Sequence, residues 1–476
     1  MRYISGMATT HPTTRISSGE IIGRSEGGID RYLGIPFAAP PFAAHRFALP
    51  LPRESWAEAR ECVAFGPTSP QTPYPGRIGR ILGSVDIPGE NVLTANVWAP
   101  SGAEGLPVVL WLHGGAFERG ASAIELYEGT SFARDGVVFV SANYRLGSEG
   151  FSVLDGAPRN LGLEDAAAAL RWTHAEVAAF GGDPKRITVM GESAGGSLVA
   201  ALLSRPEREL IAGAIVQSGP LSAQPLERAA RVTKILAKKL GVPATREAFA
   251  KIDPKELLRV RSEQMAGKTL LDGVPSFALA LDPASLPMEP ADGVREAKPP
   301  LLIGFNSEEY RLWFAPEALA KTSAFKLWLV TKVLKISKRA VAECRQAWPG
   351  ASHGEILGQL LTDQIFRAPA VKAARERDAS TYVYEFAWRT KKHELGATHA
   401  LELGFVFDGL EKESAKRMAD DGPQTLADQM HADWVEFIKT GRAPWPEYAQ
   451  AGQTRIYDTE VTQAEVPRLG VIDALL

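Results

Sequence analysis

The stretch "VMGESAGGSL" (Val189–Leu198) sets Ser193 between two glycines, Gly191 and Gly195. The residues before it, "PKRITV", are β-branched and read as a strand; "GGSLVAALLS" after it reads as a helix. In a G-x-S-x-G elbow the chain turns sharply from strand to helix and holds the serine in a strained backbone conformation. Its Oγ is then exposed at the carboxyl edge of a sheet, beside a helix N-terminus. Small residues at ±2 let strand and helix approach. The backbone N–H of the next residue, Ala194, faces any oxyanion formed on attack. A bare G-x-S-x-G is common by chance; the strand before it and the helix after it supply the context the motif requires.

The strands around the elbow read as a parallel sheet. "LPVVLWLH" (Leu106–His113) and "VVFVSANY" (Val137–Tyr144) are continuous apolar runs, as expected of strands buried on both faces. "RITVM" (Arg186–Met190), "AGAIVQS" (Ala212–Ser218), "PPLLIGFN" (Pro299–Asn306) and "TYVYEFAW" (Thr381–Trp388) extend the set. An alanine-rich helix over Leu163–Phe180 lies between two of them, and an amphipathic helix over Thr425–Gly441 closes on glycine. Strands alternating with helices predict an α/β fold: a mostly parallel twisted sheet flanked by helices. No linker rich in glycine, serine or charge divides the chain. The expectation is one domain over 1–476, with helical insertions at roughly 225–298 and 316–378 and a flexible N-terminus over 1–18.

Composition narrows the function. The chain has 476 residues, of which 45% are hydrophobic and 23% charged, enough apolar material for a large core. Its formal net charge is −3 and it has no basic block, which argues against a nucleic-acid partner. Two cysteines, Cys62 and Cys344, cannot build a disulfide framework and are not clustered as metal ligands. No apolar run is long enough for a signal peptide or a transmembrane helix, so a cytoplasmic protein without membrane insertion is expected. Met7 is a second candidate start, which would make residues 1–6 a leader.

A nucleophilic serine needs a base, an orienting acid and oxyanion donors, and in α/β-hydrolases the chain order is Ser, Asp/Glu, His. The donors come from a glycine-rich turn after an earlier strand; "WLHGGAFERG" (Trp111–Gly120) lies directly after the first buried run. With these pieces in place the chain resembles the type-B carboxylesterases, the family of bacterial para-nitrobenzyl esterases and cholinesterases. The likeness spans nearly the whole chain. It is carried in order by "RYLGIPFAAPPFAAHRF", "ENVLTANVW", "HGGAF", "SANYRLG", "NLGLED", "FGGDPKRITVMGESAGG", "QSG", "LLIGFNSEEY" and "ATHALELGFVF".

The resemblance implies Ser193 as nucleophile, Glu309 as triad acid and His399 as base. It implies the N–H groups of Gly115, Ala116 and Ala194 as oxyanion donors, with Glu192 and Ser218 as supporting groups. Of eight histidines, His399 follows both serine and acid on a loop entering an apolar segment. The family's acid segment, G-x-x-x-D-E-G, is "GFNSEEY" here: Glu308 replaces the aspartate and Tyr310 the last glycine, which puts the loop geometry and the choice between adjacent carboxylates in question. Ser69 and Val92 stand where many secreted relatives pair two cysteines, in keeping with a reducing compartment. The only aromatic between them is Tyr74, so a choline site is not supported. Phe117, Trp313, Phe314, Phe405 and Phe407 are candidates for the substrate pocket.

The expected function is hydrolysis of small-molecule carboxylic esters through an acyl-enzyme on Ser193. No metal or organic cofactor is needed, and the chain is expected as a monomer or small homo-oligomer. The alternatives are the same triad acting on carbamates or aryl amides, and a non-catalytic adhesion-type relative.

Overall fold

The computed structural model describes residues 11–266 and 275–476. The strands, in chain order, are β1 (Thr13–Ile16), β2 (Gly19–Ile22), β3 (Arg24–Glu26), β4 (Ile29–Pro36), β5 (Arg60–Glu61), β6 (Thr94–Pro100), β7 (Leu106–Leu112), β8 (Val138–Ala142), β9 (Gly182–Glu192), β10 (Gly213–Gln217), β11 (Leu301–Asn306), β12 (Thr381–Phe386), β13 (Gln453–Tyr457) and β14 (Val461–Glu465). Eleven form one sheet in the order β14-β13-β12-β11-β10-β9-β7-β8-β6-β4-β3. From β8 to β13 neighbouring strands are parallel; β6, β4 and β3 at one edge and β14 at the other are antiparallel. The antiparallel strands lie outside the six runs recognised from sequence: β3 and β14 are largely exposed, and β6, although buried, has its apolar run broken by Thr94 and Asn96.

Side chains of the parallel strands alternate between two cores. Along β7, Val108, Leu110 and Leu112 enter one core, and Val109 and Trp111 enter the other. Both faces are therefore dry, which is why the sequence reads as an unbroken apolar run rather than an alternating one. The helix Leu161–Glu176 packs in the first core and Gln424–Thr440 in the second. Gly441 ends the latter in the left-handed conformation, φ 71°, its N–H bonded to the Phe437 carbonyl, as the closing glycine predicts.

Three expectations need correction. Residues 1–10 lie outside the described residues, but 11–18 are not a loose tail. β1 pairs antiparallel with β2, Ile16 is buried, and the Ser17 N–H donates to Glu176 Oε2 at 3.0 Å. The strand before the elbow begins at Gly182, four residues earlier than expected; its pairing with β7 jumps from Leu106–Gly182 to Val108–Ile187, so "DPKR" is accommodated as a bulge. The segments expected as insertions, 225–298 (of which 267–274 are not described) and 316–378, are mostly helical. However, their last helices, Pro290–Glu296 and Ala368–Glu376, pack against the elbow helix Ala194–Leu203 and against β11 and β12 respectively, as layers of the main fold.

The elbow is the tightest point of the architecture. Ser193 has φ 55° and ψ −120°. A Cβ on Gly195 would lie 1.9 Å from the Leu112 carbonyl oxygen, and one on Gly191 would lie 2.5 Å from the Gly195 carbonyl carbon. Both contacts are with backbone, which cannot rotate away. Gly195→Ala is therefore expected to lower stability by about 1–3 kcal/mol, the usual cost of overpacking; an unchanged urea midpoint would contradict this account of the turn.

Candidate active site

Because β7, β9, β10 and β11 are adjacent and parallel, the segments leaving their carboxyl ends gather at one edge of the sheet. β7 delivers the glycine turn, β9 Ser193, β10 Ser218 and β11 the segment with Glu309. His399 comes from the loop between β12 and the helix Leu403–Val406. Ser193, His399, Glu192, Gly114, Gly115 and Ala116 line one cavity.

The imidazole is held from three sides. His399 Nδ1 is 2.6 Å from Glu309 Oε2. The other carboxylate oxygen, Oε1, accepts from Ser218 Oγ and from the Asn306 N–H, both at 2.7 Å. The rings of Trp313 and Phe366 lie 4.7 and 5.2 Å from that of His399. Phe366 sits on the π-turn Asp363–Arg367 in a segment with no motif, so nothing in the sequence singled it out. Nε2 lies 3.0 Å from Glu192 Oε1 but without hydrogen-bond alignment, and that oxygen is buried with no hydrogen-bond partner among the described residues. Ser193 Oγ makes no hydrogen bond to another described residue.

Glu308 and Glu309 are both fully buried, and they serve different networks. Glu308 accepts from Arg311 Nε at 2.7 Å and the Ala397 N–H at 3.2 Å, and pairs with Arg389 Nε at 2.8 Å. Two guanidiniums compensate the burial of this carboxylate. Tyr310 does not require the glycine's freedom. It is the second residue of the 3-10 turn Glu309–Leu312, at ordinary φ, and its ring packs on Gly358, where a Cβ would fall 2.2 Å from Tyr310 Cδ2.

The glycine turn is rigid. Gly115 has φ 121° and Ala116 φ 54°. Burial pushes His113 down to about 4, so the neutral ring donates from Nδ1 to the Gly114 carbonyl at 2.8 Å. The Tyr144 hydroxyl donates to the His113 carbonyl at 2.7 Å and its ring stacks on the imidazole. A Cβ on Gly114 would meet Glu192 Oε2 at 2.5 Å, so this glycine lets the turn close on the elbow. The N–H groups of Gly115, Ala116 and Ala194 donate to no other described residue. Ala194 is buried at the first position of the elbow helix and is not among the residues that line the cavity.

Burial raises the Glu192 carboxyl above its usual range, against the opposing pull of His399. Burial alone would lower His399, but the charges of Glu192 and Glu309 outweigh it and raise the imidazole well above 6.5. Glu402, absent from the sequence reading, is raised to about 8 by burial first and then by Glu192 and Glu309. It accepts from Asn306 Nδ2 at 2.6 Å.

Of the five aromatic residues expected in the pocket, Trp313 alone lines the cavity. Phe117 packs against Phe151 with the rings tilted, and Phe314 packs with Tyr310 and Leu319. Phe405 is buried against Phe386 and Trp388; Phe407 is buried among Trp111, Tyr127, Phe132 and Phe139. Proximity in sequence to His399 does not place them in the cavity, because Phe405 on the helix Leu403–Val406 and Phe407 at its end both turn into the second core. The apolar wall comes instead from Ile78 and Leu82 on the helix Gly76–Leu82, from Leu126 and Tyr127, and from Leu403 and Met418. Tyr74 also lines the cavity, with the Arg119 guanidinium 5.1 Å from its ring centroid. The loop lacking the disulfide is tied by polar groups: Ser69 Oγ accepts from the Leu146 N–H at 3.0 Å, and the Thr68 N–H bonds to the Ile87 carbonyl.

Among the described residues, no helix is long and apolar enough to cross a membrane. The sequence model of the carboxylesterase family matches residues 10–466. A para-nitrobenzyl esterase of Bacillus subtilis is 35% identical over 95% of this chain and 96% of its own length. Human carboxylesterase 3 is 30% identical over 94% and 87%. Among solved structures, a PNB esterase superposes with a TM-score of 0.87 at 33% identity, covering 98% of this chain and all of its own; a Geobacillus stearothermophilus carboxylesterase gives 0.87 at 30%, with the same coverage. The elbow, the glycine turn and the matches along nearly the whole length lead to one conclusion: the chain belongs to the carboxylesterase family and is a serine carboxylic-ester hydrolase acting on small-molecule esters.

Proposed function

We propose that Ser193 is the nucleophile, His399 its base and Glu309 the orienting acid. The observation that carries this reading is the 2.6 Å contact between His399 Nδ1 and Glu309 Oε2, with His399 and Ser193 lining the same cavity. Ser193 Oγ attacks the ester carbonyl as its proton passes to His399 Nε2. Glu309 fixes the tautomer that leaves Nε2 free to accept and stabilises the imidazolium. The tetrahedral oxyanion is held by the N–H groups of Gly115, Ala116 and Ala194. His399 returns the proton to the leaving alcohol, and water then releases the acid by the reverse path. Ser218 fixes the carboxylate that fixes the ring. Cys62 and Cys344 are buried free thiols, which supports a reducing, cytoplasmic setting. We further propose one folding unit that acts as a monomer or small oligomer.

Ser193→Ala is expected to lose about 10⁴–10⁶-fold in kcat with the fold intact. A fluorophosphonate should label the wild type on the "GESAGG" peptide alone; digestion and mass spectrometry finding the adduct elsewhere would reject the nucleophile.

Glu309→Gln should cost about 10³–10⁴-fold in kcat, as acid-to-amide changes do in other triads. Glu308→Gln should keep kcat within about tenfold and lower stability instead, because it removes the buried charge that pairs with Arg311 and Arg389. The reverse pattern in purified variants would mean that the acid is Glu308.

The base must be neutral to act, so a raised pKa moves the acid limb of kcat/KM above the ordinary histidine value of about 6.5. Glu192→Gln removes one of the two charges that raise it and should shift the limb to lower pH. A limb that stays in place in this variant would show that Glu192 does not act on His399 through its charge.

A further inference from the structure

The helix Ala324–Val333, in the segment that follows the cavity residue Trp313, shows solvent an unusual face. Its inner side is held by Leu327 and Thr331. On its outer side Phe325 is 67% exposed, Trp328 51%, Leu329 44% and Val333 71%. Residues 325, 328, 329 and 333 follow the spacing of a single helix stripe, and these four make up much of the large apolar surface exposed among the described residues. Leu334 and Ile365, also exposed, adjoin it through the bond from Gln364 Nε2 to the Leu334 carbonyl. A contiguous exposed patch of this kind marks a surface that something covers.

The charge around it indicates what. Between 321 and 339 the sequence has six cations, Lys321, Lys326, Lys332, Lys335, Lys338 and Arg339, and no carboxylate. All six are exposed. Lys332 lies within the stripe itself, its ammonium 5.0 Å from the Trp328 ring centroid. The carboxylates on the flanking helices are Glu317, exposed, and Glu343, 4.0 Å from Arg339. A second copy meeting this face across a two-fold axis would set six cations against six. An anionic lipid surface would take the aromatic and aliphatic side chains at the headgroup boundary while neutralising the lysines, whose stems can extend along it.

We propose that this helix is an interfacial docking surface that seats the enzyme reversibly on anionic membrane, lying in the surface without crossing it. The proposal does not depend on the assignment of the triad.

The test is flotation of the full-length enzyme with vesicles, with soluble-ester hydrolysis as the control for folding. Wild type is expected to float with phosphatidylglycerol vesicles, to remain behind with pure phosphatidylcholine, and to be released by about 0.5 M salt, where exposed charges are screened. Phe325→Glu with Trp328→Glu, and separately Lys326→Glu with Lys332→Glu, should each weaken vesicle binding at least about tenfold, given the contribution of each basic residue near a charged membrane. Both should hydrolyse p-nitrophenyl acetate as wild type does. No flotation on phosphatidylglycerol at low salt, or equal flotation of the variants, overturns the proposal. So does a dimer in sedimentation that Phe325→Glu dissociates, which would assign the face to a second copy.

Discussion

The structure depends on one close approach of backbone to backbone. The turn at Ser193 brings the start of the elbow helix onto the carboxyl end of β7, where any side chain at 195 would enter the Leu112 carbonyl. That contact fixes the distance between the serine and the glycine turn, since the turn begins immediately after Leu112. Gly114 extends the same constraint, closing on Glu192 and on the Ser193 Cβ. The strained Ser193 backbone persists because two strands, a helix and the turn all specify it: its N–H bonds to the Gln217 carbonyl, and its carbonyl receives the Ser197 N–H.

A second constraint is electrostatic. Three carboxyl groups, Glu192, Glu309 and Glu402, are buried around a single imidazole. Were all three ionised, the cavity would carry excess negative charge and disfavour the oxyanion it has to stabilise. Burial opposes this: it raises Glu402 to about 8 and shifts Glu192 upward, the latter against the pull of His399. Glu309 differs from them in its partners: Ser218, Asn306 and His399 all supply hydrogen bonds to it. Neighbouring carboxylates are thus distinguished by the donors each can reach.

This also explains what was legible in the sequence. The elbow, the glycine turn and the parallel strands are local patterns, with geometry set by residues a few positions apart, and the sequence displays them directly. The contact between Glu309 and His399 joins residues 90 apart and became visible only through resemblance. The cavity wall was misread for a related reason: Phe405 and Phe407 are close to His399 in the chain, but a four-residue helix and its end turn them into the core. Ile78, Leu126 and Met418 come from distant segments with no motif. Phe366 is of the same kind, a ring set beside His399 by a π-turn. The N-terminal strand was missed because β1 is a four-residue strand held by pairing and by Glu176, without an apolar run of its own.

The segment between β11 and β12 joins these constraints. It starts at the carboxylate that holds the imidazole, continues through Trp313 in the cavity wall, passes the exposed helix and returns through Phe366 to pack on His399. The small cluster of Leu327, Ile336, Ala340, Cys344, Ile356 and Leu357 beneath it is separate from the two sheet cores. The main fold therefore does not dictate the outer face of this segment, which is free to carry residues chosen for contact. The inner face has no such freedom, because Tyr310 on Gly358 and Trp313 and Phe366 on the imidazole fill it. A chain that needed only to cover the active site would put polar residues alone on that outer face; the exposed aromatic and aliphatic residues found there gain from being covered, and the lysines among them suit an anionic cover.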